Sequence, residues 1–208
     1  MAMIKSALEI ALERTKDIKA DPKALASLEA KQEGKRLAGE CLNNPEEMDF
    51  ATRFAATAKE RKEQIREGAF EVFIARIQLP ITAIADPEME MAPLAAGIKV
   101  LNTTPFGEKK IQAIFDQLAG FLKQYLEDAK RVEEAIRKQY APRLKQKEQE
   151  MSARMGRPVR IDPMNDPDFA AFYKQNVGQM RDQYQDALDK AKADLASLCG
   201  IKKDAPSA

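Results

Sequence analysis

Residues 111–140 read IQAIFDQLAGFLKQYLEDAKRVEEAIRKQY. Ile111, Ile114, Phe115, Leu118, Phe121, Leu122, Tyr125, Ala129, Val132, Ile136 and Tyr140 recur there at spacings of three and four. That period lays them on one stripe of a helix, whereas a half-buried strand would need strict alternation. Charged and amide residues fill most of the other positions, so the stripe is a packing face. The pattern predicts a long helix that opens at Thr104-Pro105 and is kinked or restarted at Pro142. From Pro142 to Met155 only Leu144, Met151 and Met155 keep packing spacing. Such an extension must lean on something, protrude, or be held by i,i+4 ion pairs.

Working outward, a second clean stripe follows the break at Gly156–Asn165. Phe169, Phe172, Tyr173, Val177, Met180, Tyr184, Leu188, Ala191, Leu195 and Leu198 predict a final helix that starts at Asp166-Pro167 and stops at Gly200. Asp166-Pro167 is one of six pairs in which a capping-type residue precedes proline. The others are Asp21-Pro22, Asn44-Pro45, Asp86-Pro87, Thr104-Pro105 and Asp162-Pro163. Proline pushes its predecessor into the extended geometry of an N-cap and itself suits the first helical position. The pairs therefore predict helix starts. Upstream the reading gives an amphipathic helix over Met3–Lys19 and a second from Asp21-Pro22 to Leu42. The second has a sparse face of Leu25, Leu28, Leu37 and Cys41, weakened by Gly34 and Gly39. A third runs from Pro45 to Leu79, with Ala69–Ile77 its most buried part and helix preferred there to strand. A short fourth covers Pro87–Asn102, with Met89 and Met91 as core filler.

The fold class is all-α: an antiparallel bundle of about six helices, long and partly coiled-coil-like. Residues 1–200 are read as a single helical domain, with a basic helical arm at 141–160. Residues 201–208 are read as a disordered tail. Composition agrees, with charged residues at 32%, aromatics at 6%, and the helix formers Ala, Leu, Glu, Lys, Gln and Arg dominant.

Function is constrained mainly by exclusion. The chain has no histidine, which removes Ser-His-Asp and Cys-His catalysis and imidazole-ligated zinc. Cys41 and Cys199 have no metal-ligand spacing and read as free thiols in a reducing cytoplasm. No glycine-rich phosphate loop, dinucleotide fingerprint or calcium loop is present. The sequence contains no apolar run of membrane-span length and no signal-peptide pattern at Met1–Lys5. No catalytic residue, metal, cofactor or small-molecule substrate is therefore expected, and no membrane contact.

The net charge of +1 conceals an uneven distribution. Residues 130–160 hold ten basic and four acidic side chains. Arg154, Arg157 and Arg160, joined by Arg143, are the candidate site: guanidiniums at three-residue spacing clamp a phosphate or an acidic partner segment. The competing reading pairs these arginines with Asp162, Asp166 and Asp168 merely to fix the loop. The expected function is a non-enzymatic scaffold, adaptor or structural subunit working through protein contacts. Self-association is expected through the N-terminal helix or the apolar middle of the third. The alternative is an anion or nucleic-acid binder using Arg131, Arg137, Arg143, Lys145, Arg154, Arg157 and Arg160. The discriminating feature is whether the acidic stretch after Asp162 folds back on the basic arm.

Overall fold

A computed structural model describes residues 21–44, 49–80 and 86–201. Six α-helices and no strand occur among the described residues. They are α1 (Pro22–Asn43), α2 (Phe50–Ala55), α3 (Lys62–Arg76), α4 (Pro87–Leu101), α5 (Gly107–Met155) and α6 (Pro167–Leu198), with 3₁₀ turns at Lys59–Arg61 and Pro163–Asn165. The fold is all-α. No described helix is long and apolar enough to cross a membrane. The expected helix at Met3–Lys19, the Pro45 start and the tail from Lys202 lie outside the described residues.

The chain divides into two compact units, Met1–Val72 and Phe73–Ala208. In the first, α1 starts as the sequence indicates, with the Asp21 carboxylate accepting from Lys23 N–H at 3.0 Å. Its buried face differs from the expected one. Leu25 and Leu28 are exposed, and Ala30, Gly34, Leu37 and Ala38 are buried. The reason lies at the glycines. A Cβ on Gly34 would stand 2.0 Å from the Ile65 carbonyl oxygen, and one on Gly68 would stand 1.9 Å from that of Lys31. Helices α1 and α3 therefore touch backbone to backbone, and Gly34, read from sequence as a weakness, is the contact itself. Ion pairs flank it: Lys31–Glu71 at 2.6 Å, Lys35–Glu71 at 2.8 Å and Arg61–Glu33 at 2.9 Å.

The expected third helix is not continuous. It is split into α2 and α3 because the chain turns after Ala55. The Thr57 hydroxyl donates to the Phe54 carbonyl at 2.7 Å, Ala58 is extended, and Lys62 returns over the Phe54 ring at 5.1 Å. Ala69, Phe70, Phe73 and Ile77 are buried as expected, with Ala69, Phe70 and Phe73 on the helix rather than on a strand.

In the second unit, α4 packs on α5 and α5 packs on α6. Asp86 caps α4, accepting from Glu88 and Met89 N–H. Met91 is core, but Met89 is 75% exposed and is not the filler its spacing suggested. Gly97 admits the Phe73 ring, whose Cζ would lie 2.3 Å from an added Cβ. Thr104-Pro105 does not cap α5. The Thr104 hydroxyl and amide both donate to the Asn102 side-chain oxygen, and α5 begins at Gly107 behind Phe106, which holds a left-handed φ of 59°. Helix α5 then runs unbroken through Pro142 to Met155, so the proline does not restart it. Gly156, at φ 65°, ends it, and Gly200, at φ 68°, follows α6 as expected. Cys41 is half-buried, and Cys199 is buried with its thiol directed at the Ile98 carbonyl.

Helices α5 and α6 form a hairpin in which rising numbers on one meet falling numbers on the other. Tyr125 packs on Tyr184 at 5.1 Å, and Tyr140 on Phe169 at 5.2 Å. At its far end Ile136, Tyr140 and Phe169 make a separate small core, flanked by Val132, Leu144, Phe172, Tyr173 and Val177.

Candidate functional site

The candidate arginines lie where α5 ends, the 156–166 loop turns and α6 begins. Local chemistry fixes this end of the hairpin. The Asp166 carboxylate accepts from Asp168 N–H and Phe169 N–H, both at 3.0 Å, which caps α6. The same carboxylate accepts from the Tyr140 hydroxyl at 3.0 Å and from Lys147 Nζ at 2.6 Å. Lys147 also donates to Asp168 at 2.8 Å. Asp166 is only 5% exposed, and its charge is stable because both carboxylate oxygens are engaged by donors, one of them a cation.

The acidities follow. Lys147, helped by the Phe169 amide and the Tyr140 hydroxyl, holds the Asp166 carboxyl down to about 2. The two carboxylates raise the Lys147 ammonium well above its usual value. Burial, with Asp166 alongside, raises the Tyr140 hydroxyl.

The loop between the helices is also pinned. Ile161 N–H donates to Glu148 and Val159 N–H to Ser152, each at 2.9 Å. Asp162 accepts from Met164 N–H and opens the 3₁₀ turn. A groove of about 980 Å³ runs beside this loop, with Met151, Arg154, Val159, Arg160, Ile161 and Asp166 among its lining.

The arginines separate into two groups. Arg143 sits 3.8 Å from Asp168, with its guanidinium 5.7 Å from the centre of the Tyr140 ring. Arg154, Arg157 and Arg160 are exposed and make no hydrogen bond or ion pair among the described residues; Arg154 and Arg160 line the groove. The competing reading, in which these three pair with Asp162, Asp166 and Asp168, finds no such pair among the described residues. Arg131 pairs with Asp128 and Arg137 with Glu133, and Lys145 makes no ion pair among the described residues.

Lys147 takes the place expected of the arginines, and sequence reasoning missed it. The signal was there: Lys147 stands seven residues after Tyr140 and four after Arg143, on one helical face. Among the described residues no group of three or more Cys, Asp or Glu could hold a metal ion.

The family model described as "Family of unknown function (DUF6657)" matches residues 51–197, a span from α2 almost to the end of α6 that includes this site. No curated protein and no solved structure matches the chain.

Proposed function

We propose that the chain, which belongs to the family of unknown function DUF6657, is a non-enzymatic helical scaffold or adaptor working through protein contacts. One observation carries this reading against nucleic-acid binding. The acidic start of α6 folds back on the basic arm, so that Asp166 and Asp168 engage Lys147 and Arg143. Arg131 and Arg137 are likewise engaged by acids of their own helix. A nucleic-acid surface needs a run of free cations to displace counterions along a phosphate backbone, and of the seven candidates Arg131, Arg137 and Arg143 are engaged while Lys145, Arg154, Arg157 and Arg160 make no ion pair among the described residues.

Crosslinking with mass spectrometry in the source cell tests the proposal. The expected result is a small set of reproducible crosslinks from α5 and α6 to other protein chains. Intrachain crosslinks alone would defeat it. So would tight, steeply salt-dependent binding of single-stranded RNA or duplex DNA in a fluorescence-anisotropy titration. Light scattering over a concentration series decides self-association, and a strict monomer would remove that part of the reading.

A further inference from the structure

We infer that the groove at the end of the α5–α6 hairpin docks an acidic protein segment, one that sets an apolar side chain beside carboxylates. This inference rests on the protein-contact reading above and names the partner's chemistry.

Hydrogen-bond accounting is the first argument. Arg154, Arg157 and Arg160 carry forked donors with no acceptor among the described residues. The lining acids have other partners: Glu150 accepts from the Gln146 amide at 3.1 Å, Asp162 from Met164 N–H, and Asp166 from four donors. The three arginines are therefore the unmatched donors at this end of the hairpin, and carboxylates in a fork geometry complement them.

Apolar exposure is the second. Met151, Met155 and Met164 are 41%, 52% and 53% exposed at this same end, and Val159 and Ile161 line the groove beside Met151. Flexible thioethers suit an apolar side chain of variable shape. A phosphate backbone has no use for them.

Pre-organisation is the third. Ser152 and Glu148 hold the backbone of Val159 and Ile161, and the left-handed Gly156 sets the turn. Arg157 and Arg160 are thus presented from a fixed loop, which lowers the ordering cost of binding.

The test uses the full chain and a fluorescent peptide of about twelve residues alternating Asp and Glu with Leu and Phe. Saturable binding is expected. The Arg154→Glu/Arg160→Glu variant should bind about tenfold more weakly, the scale of two exposed ion pairs lost. Lys123→Glu, on an exposed stretch of α5, should bind as the parent does. No saturable binding by the parent chain overturns the inference. So does equal affinity for a peptide with lysine in place of each acid, or equal affinity of the parent and the double variant. Preferential binding of a single-stranded RNA of the same length, lost in the same variant, would assign the groove to nucleic acid instead. If crosslinking finds a protein partner whose crosslinks and affinity survive Arg154→Glu/Arg157→Glu/Arg160→Glu, the scaffold reading stands and this groove assignment fails.

Discussion

The α1–α3 contact in the first unit and the far end of the α5–α6 hairpin in the second both join two helices, by opposite means. At α1–α3 the side chains are missing where the helices touch. Gly34 and Gly68 let backbone meet backbone, small residues fill the seam, and the edges carry partly exposed ion pairs. Each such pair contributes about 0–1 kcal/mol, so the fit is steric rather than electrostatic. At the hairpin end, rings do the joining. Tyr140 lies edge-on to Phe169, Phe172 sits 6.4 Å from Tyr140, and Tyr173 is 5.9 Å from Phe169. Aromatic pairs of this kind bury large areas and add about 0.5–1.5 kcal/mol beyond area. One contact is thus intolerant of added atoms and the other of removed ones.

The largest effect expected from breaking this contrast is at Phe169, which is 1% exposed in the small hairpin core. Phe169→Ala should destabilise by about 4 kcal/mol, because two helices cannot close the cavity left by a ring. Urea unfolding followed by circular dichroism measures it, and a cost below about 1 kcal/mol would mean that the rings do not hold this end. Next come Gly34→Ala and Gly68→Ala. Each puts a methyl about 2 Å from a carbonyl oxygen of the facing helix and should cost about 3 kcal/mol. If both variants unfold with the parent's midpoint, the backbone contact is not as described here.

A smaller effect belongs to Asp166, and its pH dependence identifies it. The folded-state pKa of about 2 lies below the unfolded value near 3.9, so the stabilisation is fully present above about pH 4. It is lost as the pH falls through 4 toward 2. Asp166→Asn should therefore lower Tm at pH 7, and the gap from the parent should shrink below pH 4 and close only as the pH falls through 2. Thermal unfolding at stepped pH values reads this directly. A gap that stays constant would mean that the carboxylate's charge is not what holds the cap.

Local chemistry is what the sequence made legible. Asp21, Asp86, Asp162 and Asp166 cap as read because each bonds amides two or three residues on. The apolar stripes of α5 and α6 were legible for the same reason, since their period is intrinsic to a helix. The misreadings have distant or competing causes. Thr104 fails as a cap because Asn102, two residues earlier, engages its hydroxyl. The break before α3 depends on Thr57 and on Lys62 meeting a ring eight residues back. Spacing places Leu25 and Leu28 on the packing face of α1, and helix propensity makes Gly34 a weakness, whereas the carbonyl that Gly34 meets sits on another helix. At the candidate site the loop arginines stood out by spacing. The residue that binds the acids is Lys147, nineteen positions from Asp166, and only the closed hairpin brings the two together.

Glycine itself offers the mildest and sharpest test of the contrast. Gly39 lies on α1 with Gly34, and Gly120 lies within α5, yet a Cβ at either meets nothing within 4 Å. At such open helical positions alanine reduces the freedom of the unfolded chain and raises helix propensity. Gly39→Ala and Gly120→Ala should each stabilise by about 0.5–1 kcal/mol. The same substitution five residues apart on one helix would then change sign between Gly34 and Gly39. Intrinsic propensity is identical at the two sites, so the difference between the two unfolding midpoints isolates what the facing backbone contributes. If both variants moved the midpoint in the same direction, close approach would not be the reason that glycine stands at position 34.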